Sequence, residues 1–322
     1  MRGVSFRRFS GNHDYEAMSE ICVRSWKADG VDFIKTAEDL SSAYEHDSSR
    51  DPSEEILIAE LDGRAIGFAE TSLIQKSKKE LRCHQYAYVL PDFREEGLRE
   101  ALLQFNENSL RERVVRRPGE ERRIFYSWAL SRSNDWRRIL LSEGYEAAWH
   151  LYEMKRPNLD DIPDAPLPEG VVVRPVTEED YRKVWETTRD MFIDQPWSDE
   201  DFWNENRYRQ WLSSPTFMPD LWQIAWEGDK IVGSVQNYID QAENEAFEKK
   251  RGHTETIFVA PLWRGKGLAK ALIARSLSIL KEKGMGEAML DTEQANVHEA
   301  YKVYQRMGFE IINQFTFFQK PL

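Results

Sequence analysis

The chain has 322 residues, enough for two domains at about 150 residues each, and its 16 Phe, 12 Tyr and 11 Trp are too many for a solvated coil. The formal charge of −12 splits unevenly: 25 basic against 28 acidic residues up to Arg156, and 19 against 28 beyond it. Neither half offers the net basic surface a nucleic-acid partner requires; an acidic field suits a small cationic amine, and equally suits plain solubility.

In chain order, the first half predicts a strand at Phe6–Phe9, a helix at Tyr15–Trp26 and strands at Ile56–Leu61, Ala65–Leu73 and Cys83–Val89. A helix at Leu98–Arg113 and a strand at Ile124–Ala129 follow. Residues 157–168 hold four prolines among acids, a spacing no helix or central strand tolerates, and they are read as a linker between residues 1–156 and 169–322. The second half predicts a short strand at Val171–Arg174, then a helix from Glu178 to Phe192 capped by Thr177. A second helix is expected within the aromatic-rich stretch Trp197–Leu212. A hairpin (Trp222–Trp226, Ile231–Tyr238) and a strand at Thr254–Val259 come next. A helix at Gly267–Lys283, a strand at Glu287–Thr292, a helix at Glu299–Arg306 and a final strand pair within Glu310–Gln319 complete it. The class is α/β (α+β), each half a mixed, mainly antiparallel sheet flanked by helices. No apolar run approaches the roughly 18 residues that cross a bilayer, and no apolar segment follows the basic residues of Met1–Ser10. Cys22 and Cys83 form neither a disulfide framework nor a metal quartet. A cytoplasmic protein without metal or membrane partner is expected.

An internal repeat is the strongest signal. Val89–Leu103 (VLPDFREEGLREALL) and Val259–Ile273 (VAPLWRGKGLAKALI) share seven of fifteen positions at a constant offset of 170. Each follows an apolar strand and opens a helix, and each half later carries a Gly-aromatic pair, Gly144-Tyr145 and Gly308-Phe309. In the second copy the turn reads Arg264-Gly265-Lys266-Gly267-Leu268-Ala269. Backbone amides at such a turn are unpaired, the helix dipole adds positive potential, and glycines let an anion approach the main chain. The Walker spacing and the G-x-G-x-x-G dinucleotide fingerprint are both absent.

The turn carries Arg264, Gly267 and Ala269 in the pattern Q/R-x-x-G-x-G/A. Asn296, Ala300, Tyr304, Gly308 and Phe309 then approximate N-x-x-A-x-x-x-Y-x-x-x-G-F, with one extra residue between Asn296 and Ala300. The sequence thus resembles the GNAT superfamily of N-acetyltransferases, strongly over residues 170–322 and weakly over 1–156, in a tandem arrangement similar to that of two-GNAT proteins. The resemblance implies an acetyl-CoA site. Its cofactor contacts would come from Phe258, Val259, Arg264, Gly265, Lys266, Gly267, Leu268, Ala269 and Asn296, with the pantetheine arm along Thr254–Val259 and the Val259 amide on the thioester carbonyl. It also implies that Tyr304 protonates the departing thiolate and that Glu255, or a water it holds, takes the proton of an acceptor amine. The residues themselves leave alternatives open: Tyr304 as a core phenol, and Glu255 as a structural carboxylate met by a neighbouring Thr or Arg. His253 and His298 read as structural or surface residues. Asp291 and Glu293 either hold an amine or form a solvated strand end.

The first copy departs from the pattern. Glu95 and Glu96 replace Gly and Lys, Arg99 replaces the small residue, and Leu140 stands where Tyr304 would be. It is expected to be degenerate. The whole reads as an enzyme moving acetyl from acetyl-CoA to a primary amine of a small-molecule or peptide acceptor in one ternary complex. It would act as a monomer, itself a pseudo-dimer of two copies, or as a homodimer. Another acyl donor, a non-amine acceptor, or a non-catalytic acyl-CoA sensor remain as alternatives.

Overall fold

The computed structural model describes residues 3–31, 35–45, 50–77, 79–94, 97–117, 119, 121–195, 197–198, 202–294 and 300–322. Packing separates the chain into two units, residues 1–149 with 315–322 and residues 150–314.

The first unit contains β1 (Val4–Arg8), α1 (His13–Ala28), α2 (Ala37–Glu45), α3 (Pro52–Glu55), β2 (Ile56–Leu61), β3 (Arg64–Ser77), β4 (Glu80–Val89), α4 (Leu98–Val115), β5 (Arg122–Leu130) and α5 (Asn134–Ser142). Strand β6 (Glu146–Arg156) leads into the second unit. There follow β7 (Val172–Val173), α6 (Glu178–Phe192), α7 (Glu205–Ser213), β8 (Gln223–Glu227), β9 (Lys230–Tyr238), α8 (Gln241–Phe247), β10 (Arg251–Val259), α9 (Leu268–Glu282), β11 (Glu287–Glu293), α10 (Ala300–Arg306) and β12 (Glu310–Pro321).

The two sheets have one plan. In the first unit the order is β1-β2-β3-β4-β5-β12, antiparallel except for the β4–β5 pair. In the second it is β7-β8-β9-β10-β11-β6, antiparallel except for β10–β11. The sixth strand of each sheet comes from the other repeat: residues 315–321 of β12 complete the first sheet, and residues 151–156 of β6 complete the second. The linear division at residues 157–168 follows the repeat; the compact units follow this exchange. Residues 157–168 form no helix or strand, and Leu159 is buried against the second core. Arg156 anchors that segment by donating to Asn158 O, Asp161 O and Met307 O.

Local sequence explains most boundaries. Thr177 and Asp180 form a reciprocal capping box that starts α6, and Arg174 grips Asp180 through its two terminal nitrogens, Nη1 and Nη2. The apolar stripe of α9 (Leu268, Leu272, Leu277, Leu280) is buried on the second sheet with Ala288 and Leu290 of β11. Two expectations change. Residues 310–321 are one continuous strand rather than a pair, because the exchange gives a single long strand a partner at each end. Among the described residues the aromatic stretch is helical only from Glu205, where the Asn204 side chain caps the Arg207 amide. Helix α8 was not expected. Asp240 caps it, and Asn244 ties it to both backbone groups of Arg251.

Candidate active site

In the second sheet, β10 and β11 pair in parallel only over Arg251–His253 and Glu287–Met289, after which they splay. On its other edge β10 keeps pairing with β9, but with a bulge between Glu255 and Phe258. Thr256 adopts φ 51°, a left-handed conformation that β-branched residues avoid. One extra residue is thereby absorbed beside Glu255. Ala260 donates its amide to Val232 O across the β9 edge, so strand alternation turns the Val259 amide to the opposite, splayed edge. Phe258 is buried and packs edge-on against Phe192, so its ring belongs to the core.

The glycine turn at residues 264–269 lies at the end of β10. A short 3-10 turn, Pro261–Trp263, precedes it and α9 follows, with Gly267 at φ 87° as the N-cap. A Cβ built on Gly265 or Gly267 meets nothing within 4 Å, so the cradle is open. Among the described residues the amides of 265–269 have no acceptor, while Ala271 begins the helical ladder by donating to Gly267 O. Leu268 is a core residue and contributes only its amide. Arg264 donates from Nε to Val259 O at 3.1 Å, and Lys266 lies 4.8 Å above the Trp263 ring. Asn296 and His298 lie outside the described residues.

Glu255 sits at the bulge with its side chain across the splay, where Oε1 accepts the Asp291 amide at 3.0 Å. Asp291 is opposite Glu153 in the β11–β6 ladder. Three carboxylates from three neighbouring strands therefore face one another. Among the described residues no basic side chain comes within ion-pair distance of any of them. Protein crowds the group on most sides, although water reaches it. Burial, and then the Asp291 and Glu153 charges, push the Glu255 carboxyl well above its ordinary range. Crowding by surrounding protein atoms and the Glu153 charge push Asp291, whose side chain is itself exposed, up to about 7. Burial raises Glu153 as well, and Asn313 offsets this in part by donating to its Oε2.

Tyr304, on α10, is buried against Phe309. Its hydroxyl has no hydrogen-bond partner among the described residues, and burial followed by the Glu255 charge raises the phenol. A phenol without a partner, near a carboxylate without a cation, is the reverse of a satisfied core tyrosine. His253 is structural: Nε2 meets Glu243 at 2.7 Å and the ring stacks on Tyr238 at 4.5 Å. The aromatics Trp185, Trp203 and Trp211 pack on one another, whereas Trp197 is exposed and hydrogen-bonds Glu293. Sequence reasoning missed Glu153 because it lies in the other repeat, and it gave Asp291 no link to Glu255.

The sequence of the family described as "Acetyltransferase (GNAT) family" matches residues 18–127 and 179–309, together well over half the chain. The chain belongs to the GNAT acetyltransferase family. A mycothiol acetyltransferase of Geodermatophilus obscurus is 30% identical over 169 residues, 52% of this chain and 54% of that one. The match thus spans about half that relative's length. One from Catenulispora acidiphila is 28% identical over 244 residues, 74% of this chain and 72% of that one. Among solved structures, a GCN5-related N-acetyltransferase from Sphaerobacter thermophilus shares the fold with TM-score 0.77 at 23% identity, covering 100% of this chain and 96% of that one. A tandem GNAT protein of the clavulanic acid biosynthesis pathway does so with TM-score 0.67 at 13% identity, covering 99% and 98%. The chain is thus built of two GNAT folds. Among its described residues no helix is long and apolar enough to cross a membrane.

Proposed function

We propose that the second unit transfers acetyl from acetyl-CoA to a primary amine of a small cationic acceptor. The observation that carries this reading is the splay itself, with Glu255 at the bulge held by the Asp291 amide but by no cation among the described residues, and the unpaired Tyr304 phenol near it. The open cradle at Gly265 and Gly267 fits a pyrophosphate, held by the amides of 265–269 with charge from Lys266 and Arg264. When bound, acetyl-CoA supplies an acetyl group activated as a thioester. The Val259 amide polarises its carbonyl oxygen. Glu255, as carboxylate, accepts a proton from the acceptor ammonium, directly or through water, and so frees the amine lone pair. Tyr304 gives its proton to the departing sulfur. Asp291 and Glu153 hold the ammonium before it loses that proton. Relatives named mycothiol acetyltransferases support a small-molecule acceptor.

Titration calorimetry with acetyl-CoA, followed by a panel of small amines with release of CoA thiol as the readout, tests this. One site per chain is expected. Tyr304→Phe should leave that binding intact and lower kcat by about 100-fold or more. Binding without turnover on any amine would favour an acyl-CoA sensor, and absence of binding would sink the acetyl-CoA reading.

A further inference from the structure

The first unit keeps the acceptor face of this fold but has rebuilt it. Its ladder gives the correspondence. Gly67 pairs with Val89 as Gly233 pairs with Val259, and three residues further along β3 and β9 Tyr86 stands opposite Glu70 as Glu255 stands opposite Gln236, the bulge absorbing the extra residue of β10. Pairs His84–Tyr126 and His253–Met289 then place Trp128 where Asp291 stands, and Phe317, opposite Trp128, where Glu153 stands. An aromatic trio thus replaces the carboxylate trio.

The cofactor groove is also filled. The small residues Ala269 and Ala300 become Arg99 and Trp136, both fully buried, with the guanidinium 5.4 Å from the Trp136 ring. Arg99 is paired with Asp135 at 2.8 Å. Trp136 Nε1 donates to Trp128 O at 3.0 Å and Asn106 Nδ2 donates to Tyr86 O at 3.1 Å, so side chains occupy the strand edges that stay open in the second unit. Arg94, the counterpart of Arg264, is consumed by Asp29 and Ser25. Glu95 and Glu96 lie outside the described residues.

A cavity of about 220 Å³ remains on this face. Tyr86 and Tyr88 line it, nearly buried, and neither hydroxyl has a protein partner among the described residues. Trp128 stacks on Tyr86 at 4.7 Å. Lys35 and Arg50 line it too; both reach the lining carboxylate Glu70, at 3.9 and 3.5 Å, and Arg50 also pairs at 2.8 Å with Glu55, which Arg113 shares at 2.6 Å, so three cations face two carboxylates. Burial keeps the His84 imidazole neutral, its pKa lowered to about 4. The wall therefore offers net positive charge, free phenol donors and flat aromatic surface. It repels the ammonium that the second unit attracts. Its volume is below the roughly 300–1,000 Å³ of drug-sized pockets, which limits the occupant to about one ring.

We propose that this cavity binds a small aromatic carboxylate, its ring against Tyr86 and Trp128 and its acid group on Lys35 and the tyrosine hydroxyls, without acetyl-CoA. Charge-assisted donors and offset stacking supply the recognition.

The test is calorimetry on the full-length chain with 4-hydroxyphenylacetate, and with tyramine, which has the same ring and the opposite charge. The acid should bind at one site with a dissociation constant below about 1 mM, weakened about ten-fold by Lys35→Met and by Trp128→Leu. Lys35 is partly exposed, so its variant should keep the fold even if Trp128→Leu does not, and circular dichroism melting checks both. Tyramine should show no heat that Lys35→Met removes. The proposal fails if the acid shows no binding at about 10 mM, if tyramine competes for the same site with equal affinity, or if folded Lys35→Met binds the acid as the parent does.

Discussion

Asp291 acts on Glu255 in two opposing ways. Its amide donates to the Glu255 carboxylate and favours ionisation, while its own carboxylate, with that of Glu153, disfavours it. Burial and like charge win, so Glu255 holds its proton to higher pH than a solvated glutamate. If Glu255 must be ionised to accept the acceptor's proton, activity is lost as pH falls through the raised value. Asp291→Asn keeps the amide and removes the charge. The acid limb of kcat/KM should then move to lower pH by about one unit, while weaker ammonium binding raises KM for the acceptor. A pH–rate profile that does not move would mean that the limb belongs to another group. The same carboxylates carry a stability cost. A carboxyl whose folded pKa is raised costs nothing below its unfolded value and the full amount above its folded one, near 7 for Asp291. Asp291→Asn should therefore melt no lower than the parent at pH 8, and the difference between them should shrink toward pH 4. Tyr304 and Glu255 were legible as candidates because motif spacing and a carboxylate inside a strand mark them. The link from Asp291 to Glu255 was not, since it exists only through the splay of two strands paired in parallel at their starts.

The bulge shows how an element can carry function that a residue list conceals. The repeat offset is 170 at Val89 and Val259 but 169 at Arg82-Cys83-His84 and Arg251-Gly252-His253. That one-residue slip is the trace of the insertion that aims Glu255, and it is invisible unless both tripeptides are aligned. Thr256 gives no local hint, since a threonine is a poor choice for positive φ. The hairpin, α6 and α9 were readable because their periodicity and caps are local. The exchange of β6 and β12 was not, because either strand's pattern fits either sheet. Close packing between β9 and α9 fixes the glycine turn at residues 264–269 relative to the bulge. A Cβ on Gly233 would stand 2.8 Å from Leu272 Cδ1 and 3.2 Å from Leu268 Cδ2, both core atoms with little room to retreat. Gly233→Ala should cost about 1–3 kcal/mol in denaturant unfolding, the usual range for overpacking. It should also weaken acetyl-CoA binding, since Leu268 begins the helix whose N-terminus forms the cradle. Unchanged affinity beside lowered stability would mean that α9 adjusts without moving its first turn.

Across the whole chain, the exchanged strands decide which pieces can stand alone. A fragment of residues 169–322 follows the repeat, yet it lacks residues 151–156. It would leave the outer edge of β11 without the strand that pairs it, remove Glu153 from the carboxylate trio, and carry Phe315, Phe317 and Phe318 on a strand whose partner β5 is missing. It would also lose Arg156, whose guanidinium binds Met307 O beside Gly308. Open edges and exposed aromatics favour association between copies. A fragment of residues 150–314 keeps all six strands of its sheet, the packed segment through Leu159 and the site residues named above. Circular dichroism melting and calorimetry on the two fragments should therefore differ. Residues 150–314 should unfold cooperatively and bind one acetyl-CoA, whereas 169–322 should melt without a clear transition or aggregate, though it contains the entire second repeat. If 169–322 folds and binds as well as 150–314, the sixth strand is dispensable and Glu153 takes no part in the site. The opposite result would show that the second repeat does not complete its sheet without residues 151–156 from the first, so the folding boundary is not the repeat boundary.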